Sequence, residues 1–311
     1  MKPYKIIDAH CDTIGKMLDE NEAISKNCCH YSLENIACFT GYVQFFAAWV
    51  GKEEKKPFLR AVHMLENAKR QISMHHDKIE EIRTAQELEQ VFAQKKHGAI
   101  FALEDGRSLE GEIENLYHFY DLGVRAITLA WNDDNDLTGG IGFNKTGLTE
   151  FGKAVILEMN RLGMMVDVSH ISEQGFWDVL ECSKKPVMAS HSNCRALCSH
   201  MRNIDDSQIK ALIKQKGFIG INLYCDFLTD KGDTGIDHVF RHIEHILSLG
   251  GENIVGFGSD FDGMTQLPKK IRHAGDYIVL LEYMAKNGYK DCLIDKICHG
   301  NMLNFIKRVE K

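Results

Sequence analysis

The sequence predicts a single α/β domain, a (β/α)8 barrel of the TIM type, spanning residues 1–311. Two observations predict it. Eight short strand-like runs recur along the whole chain, each followed by helical material. The residues best suited to hold a metal fall at the ends of those runs. Eight βα units close into a parallel barrel whose chemistry sits at the C-terminal ends of its strands.

The runs occupy 5–10, 42–50, 98–105, 123–131, 163–170, 186–192, 217–224 and 253–260. Most are continuously apolar rather than alternating, as expected for strands buried on both faces. Between them, Leu59, Val62, Leu65, Ala68 and Ile72 recur at helical spacing, as do Phe151, Val155, Met159 and Leu162. Thr149 is placed to cap the second of these helices. A third comprises Val239, Phe240, Ile243, Ile246 and Leu247, with Gly250 at its C-terminal end. His238, His242 and His245 lie at helical spacing here and read as a polar face, because no HExxH accompanies them. The segment 25–42 has the least regular pattern and reads as a loop over the barrel mouth. No GxGxxG follows the first run, which argues against a dinucleotide-binding open sheet.

Composition narrows the function. Hydrophobic residues at 44% and charged residues at 26% fit a soluble globular protein. A net charge of -7 disfavours a nucleic-acid partner, which calls for a basic face. No stretch approaches the ~20 apolar residues of a membrane span, and no leader-like segment precedes the first strand. The ten cysteines are scattered without a CxxC pair. Free thiols in a reducing cytoplasm are therefore expected. Cys194 and Cys198 are expected on one helix face beside the barrel.

At the strand ends stand His10 and Asp12, Glu104, Trp131 and Asn132, His170, His191, Tyr224 and Asp260. The barrel brings them to one mouth. Three imidazoles with carboxylates suit a borderline-soft divalent ion such as zinc. His10 and Asp12, two apart on a strand, point to the same side and can share an ion. Glu104 has two carboxylate oxygens and can bridge to a second ion held by His170 and His191. Such a pair generates a hydroxide nucleophile near neutral pH. That leaves Asp260 as base or proton shuttle.

The ordered set DAHCDT, ALEDG, DVSHIS, ASHS, Arg202-Asn203, GFGSDFDG and HGNMLNFIKRV resembles the membrane (renal) dipeptidase family of zinc metallopeptidases, from Asp8 to about Val309. The resemblance implies a barrel with two zinc ions that cleaves dipeptides, some with a C-terminal D-residue. It implies that His10 and Asp12 hold one zinc, His170 and His191 the other, and Glu104 both. It further implies that Asp260 handles the proton, that Arg202 holds the substrate carboxylate, and that the protein is a homodimer. Trp131, Asn132 and Tyr224 are expected to contact substrate. Trp131 departs from the family, whose animal members carry a substrate-contacting histidine there. Indole donates one hydrogen bond but cannot relay a proton. The alternative is a related barrel amidohydrolase acting on N-acyl amino acids or cyclic amides. Many of those carry HxH on the first strand and a lysine on the fourth, where this chain has HxD and Trp131. A non-catalytic binding barrel would predict a broken ligand set.

Overall fold

A computed structural model describes residues 4–142 and 146–311. All eight expected strands form, together with a short ninth. They are β1 (Lys5–Cys11), β2 (Gly41–Trp49), β3 (Ile79–Glu81), β4 (His97–Glu104), β5 (Val124–Thr128), β6 (Met165–Asp167), β7 (Met188–Ala189), β8 (Phe218–Ile221) and β9 (Val255–Phe257). The order β2-β1-β9-β8-β7-β6-β5-β4, closed by pairing of β2 with β4, is a barrel of eight parallel strands. β3 lies outside it, paired with β4 from Ile79↔His97 to Glu81↔Ala99, below the stretch that β5 takes. At three residues, two of them glutamates, β3 carries no apolar run to announce it.

Alternation sorts the strand residues into two layers. Val43, Phe45, Ala47, Ile100, Ala102, Ala126, Met165, Met188 and Phe218 fill the interior. Tyr42, Phe46, Phe101, Leu103, Ile127, Ile219 and Phe257 pack outward under the helices. The C-terminal helix Asn301–Glu310 adds Met302, Phe305, Ile306 and Val309 to the inner cluster and so plugs the end opposite the mouth. Higher up the interior is main chain: a Cβ on Gly220 or on Gly258 would collide with the Ser190 carbonyl oxygen.

The helices follow their patterns. Thr149 caps Glu150–Leu162, its hydroxyl accepting from Gly152 N at 2.9 Å. Ile236–Ser248 ends with Leu249, and Gly250 follows at φ 93°. Three expectations need correction. Residues 25–40 do not cover the mouth. Tyr31 packs on the outward rings of Tyr42 and Phe46, and Thr40 N reaches Tyr4 O at 3.1 Å, so the segment descends the barrel flank with Tyr31, Leu33, Ile36 and Phe39 buried. His242 is fully buried rather than on a polar face. It accepts from Cys194 N at 3.0 Å through Nδ1 and donates to Leu228 O at 3.0 Å, so both ring nitrogens are satisfied. Cys194 and Cys198 are buried as expected, but on a turn rather than a helix. No disulfide joins any of the ten cysteines, all of which lie among the described residues. Among the described residues, no helix is long and apolar enough to cross a membrane.

Candidate functional site

His10 reaches the interior through an irregularity. Ile7 and Ala9 face inward, while Asp8 points outward to the hydroxyls of Tyr42 and Tyr277 at 3.2 and 3.0 Å. Strict alternation would therefore turn His10 and Asp12 outward. Between Asp8↔Gln44 and Cys11↔Phe46, β1 advances three residues against two on β2. This bulge brings His10 to the same side as Ala9, carries Asp12 in with it, and returns Cys11 to the outer layer. The spacing of two keeps His10 and Asp12 together; the bulge decides which side they share.

Glu104 closes β4 on the inward parity of Ile100 and Ala102, and its two oxygens divide the site. Oε2 lies 3.3 Å from His10 Nε2, which is itself 3.5 Å from Asp12 Oδ2. Oε1 lies 3.1 Å from His170 Nε2 and 3.6 Å from His191 Nε2. The two resulting groups, His10–Asp12–Glu104 and Glu104–His170–His191, each gather donor atoms within 4.8 Å of one another. Asp167 also approaches His10 and His191 from below.

Neighbouring side chains set which nitrogen His170 and His191 present. His170 Nδ1 lies 2.9 Å from Asn132 Oδ1, which can only accept, so Nδ1 carries the proton and Nε2 is left with its lone pair. His191 Nδ1 lies 2.6 Å from Ser190 Oγ, whose hydroxyl donates in turn to Asp167. Asp167 is fixed by Thr128 Oγ1 at 2.6 Å and by the amides of Ser169 and Ser190 at 3.0 and 2.9 Å. Histidines that ligate metals are oriented in this way. Asn132 both lines the cavity and holds His170.

The electrostatics ask for a cation. Burial lowers His170 to about 4 and holds His191 well below its usual range, so both are neutral. Burial opposes the charges of Glu104 and His10 alike, but their mutual attraction outweighs it, holding Glu104 well below the usual carboxylate range and His10 well above the usual imidazole range. Asp12 is raised by burial and by Glu104, and burial raises Asp260 to about 6. His10 Nε2 and Asp12 Oδ1 are buried without a hydrogen-bond partner. Carboxylates crowded in a desolvated pocket beside the neutral His170 and His191, with donor atoms left unmatched, fit divalent cations.

Around this cluster lies a cavity of about 1020 Å³. Asp260, Arg202, Trp131 and Tyr224 all line it. Asp260 is held by Asn222 Nδ2 at 2.9 Å, with Oδ1 4.0 Å from His10 Nε2. Arg202 is buried. One nitrogen donates to His191 O at 3.2 Å, the guanidinium lies over the Phe227 ring, and Nε has no partner. His170 and Asp260 occupy left-handed backbone, at φ 66° and 65°. Such strain in non-glycine residues gathers at functional sites. The sequence reading missed Ser190, Asp167 and Asn222, whose residue types carry no signal on their own. It also missed Trp49, which ends β2 in register with Glu104 and lines the same cavity.

The whole chain, residues 1–311, matches the family model described as membrane dipeptidase (peptidase family M19). An uncharacterized Klebsiella pneumoniae protein of the pqqA 5′ region is 34% identical over 73% of this chain and 87% of its own length. Dipeptidase 3 of Rattus norvegicus is 28% identical over 100% of this chain, which spans 66% of that protein. Among solved structures, a family M19 metallopeptidase, dipeptidase AC, superposes with a TM-score of 0.93 at 27% identity, over 99% of both chains. A Rhodobacter sphaeroides metallopeptidase liganded with a phosphinate mimic of L-Ala-D-Ala superposes with a TM-score of 0.91 at 26% identity, over 99% of this chain and 100% of that one. Donor cluster, barrel and likeness agree: the chain belongs to the membrane dipeptidase family, peptidase family M19, a family of metallopeptidases.

Proposed function

We propose that the protein is a dipeptidase that holds two zinc ions, one at His10 and Asp12 and one at His170 and His191, with Glu104 shared between them. The observation that carries this reading is the division of the Glu104 carboxylate, one oxygen toward each donor group. When bound, the ions supply Lewis acidity that polarises the scissile carbonyl and acidifies water. The residues do the rest. Arg202, buried with an unpartnered Nε, pairs with the C-terminal carboxylate of the substrate and so fixes which bond lies over the cluster. Asp260, oriented by Asn222, takes a proton from the attacking water and returns it to the departing amine nitrogen. Tyr224 and Trp131 bound the space for the side chains. Dipeptides with a C-terminal D-residue are included, since the Rhodobacter sphaeroides relative was crystallised with such a mimic.

The test is elemental analysis of the purified protein beside hydrolysis of L,L and L,D dipeptides. Two zinc ions per chain are expected, with activity lost to a chelator and regained on adding zinc. Full activity in metal-free protein would refute the reading.

A further inference from the structure

We infer that Trp49 and Trp131 form the subsite for the side chain of the N-terminal residue, and that the preferred substrates carry a bulky aromatic or aliphatic group there. This rests on the dipeptidase reading, with Arg202 at the substrate carboxylate. Trp49 continues the inward parity of Val43, Phe45 and Ala47, and it pairs in register with Glu104. Its indole therefore projects over the mouth beside the residue that divides the metal site. Trp131 follows β5, with its ring centroid 5.2 Å from that of Trp49 and 6.1 Å from that of His170. Val50 and Ile141 line the cavity with them.

Position around the barrel assigns the end of the substrate. In the ring of eight strands, β2 lies four places from β7, after which Arg202 follows, and the donor cluster lies between. A dipeptide whose carboxylate meets Arg202 and whose scissile carbonyl lies over Glu104 carries its first residue onward to the indoles. Trp49 is 38% exposed, which is unusual for so large a ring on the inner side of a barrel; a substrate side chain would cover it. A flat apolar substituent meets two rings inclined at 62°, and so can face one and edge the other. Imidazole at position 131 would offer much less apolar area.

The experiment measures kcat/KM of zinc-loaded protein on two series, X-Ala and Ala-X, with X as Ala, Leu, Phe or Tyr. Phe-Ala, Tyr-Ala and Leu-Ala are expected to exceed Ala-Ala by roughly tenfold or more, with a flatter Ala-X series. Trp49→Ala and Trp131→Ala should each reduce the Phe-Ala to Ala-Ala ratio several-fold, and Trp49→Phe should keep most of it. A ratio unchanged in both alanine variants, or a preference confined to Ala-X, overturns the subsite while leaving the dipeptidase standing. Failure of wild-type protein to cleave any dipeptide overturns the reading beneath it, and the subsite with it.

Discussion

Ser190 Oγ stands 2.6 Å from His191 Nδ1, so the preceding residue in the chain selects the nitrogen that this histidine presents to the cluster. Ser190→Ala should therefore weaken metal binding about 10- to 100-fold, the usual cost of removing such a partner. Competition with a chromophoric chelator reads this directly. Thr128→Val removes another hydroxyl from the same Asp167 without touching His191 and should do much less. Equal losses in the two variants would make the serine merely structural.

Glu104 serves both donor groups, whereas Asp12 belongs to one. On the two-zinc reading, Glu104→Gln is expected to deplete both ions and to lower kcat/KM more than about 100-fold, since ligands outweigh their supporting partners. Asp12→Ala should retain the ion at His170 and His191. Elemental analysis of both variants decides it; a Glu104→Gln protein with full metal content would contradict the bridge.

Arg202→Ala should raise KM for free dipeptides by about 10- to 100-fold, the range for a charge-assisted hydrogen bond, and change KM for the corresponding C-terminal amides little. Arg202→Lys keeps the charge and loses the fork, so it should fall between. Equal effects on acids and amides would remove Arg202 from carboxylate recognition.

His242 predicts part of the acid sensitivity. Burial lowers it to about 4, against ~6.5 in an unfolded chain. Between those values the unfolded state binds the extra proton, so this contribution is complete above pH ~6.5 and is lost as pH falls toward 4, by at most about 3 kcal/mol. Denaturant midpoints across that window should drop. His242→Gln should be less stable at neutral pH but show a shallower decline. An unchanged slope would assign the acid limb to other groups, such as His97, which burial also lowers to about 4.

Much of the barrel was legible because buried parallel strands write themselves as continuous apolar runs, and all eight were found. The site was legible in the identity of its ligands but not in what aims them. A spacing of two ties His10 to Asp12, yet only the bulge in β1, which leaves no mark in residue type, turns them inward. Ser190 and Asn222 were invisible because a serine or asparagine becomes informative only once its neighbours are known. Two misses had signals. His242 falls on the apolar stripe of Val239, Ile243 and Ile246, which argued for burial. Trp49 ends β2 just as Glu104 ends β4, each one residue short of the end of its apolar run, but an aromatic ring does not suggest itself as chemistry.

Because the Ser190 carbonyl fills the space that side chains at positions 220 and 258 would need, the floor beneath the donor cluster cannot be resculpted one residue at a time. New substrate ranges must then come from the rim. A library that randomises positions 49, 131, 141 and 224 while leaving 190, 220 and 258 alone would search the part of the molecule free to vary.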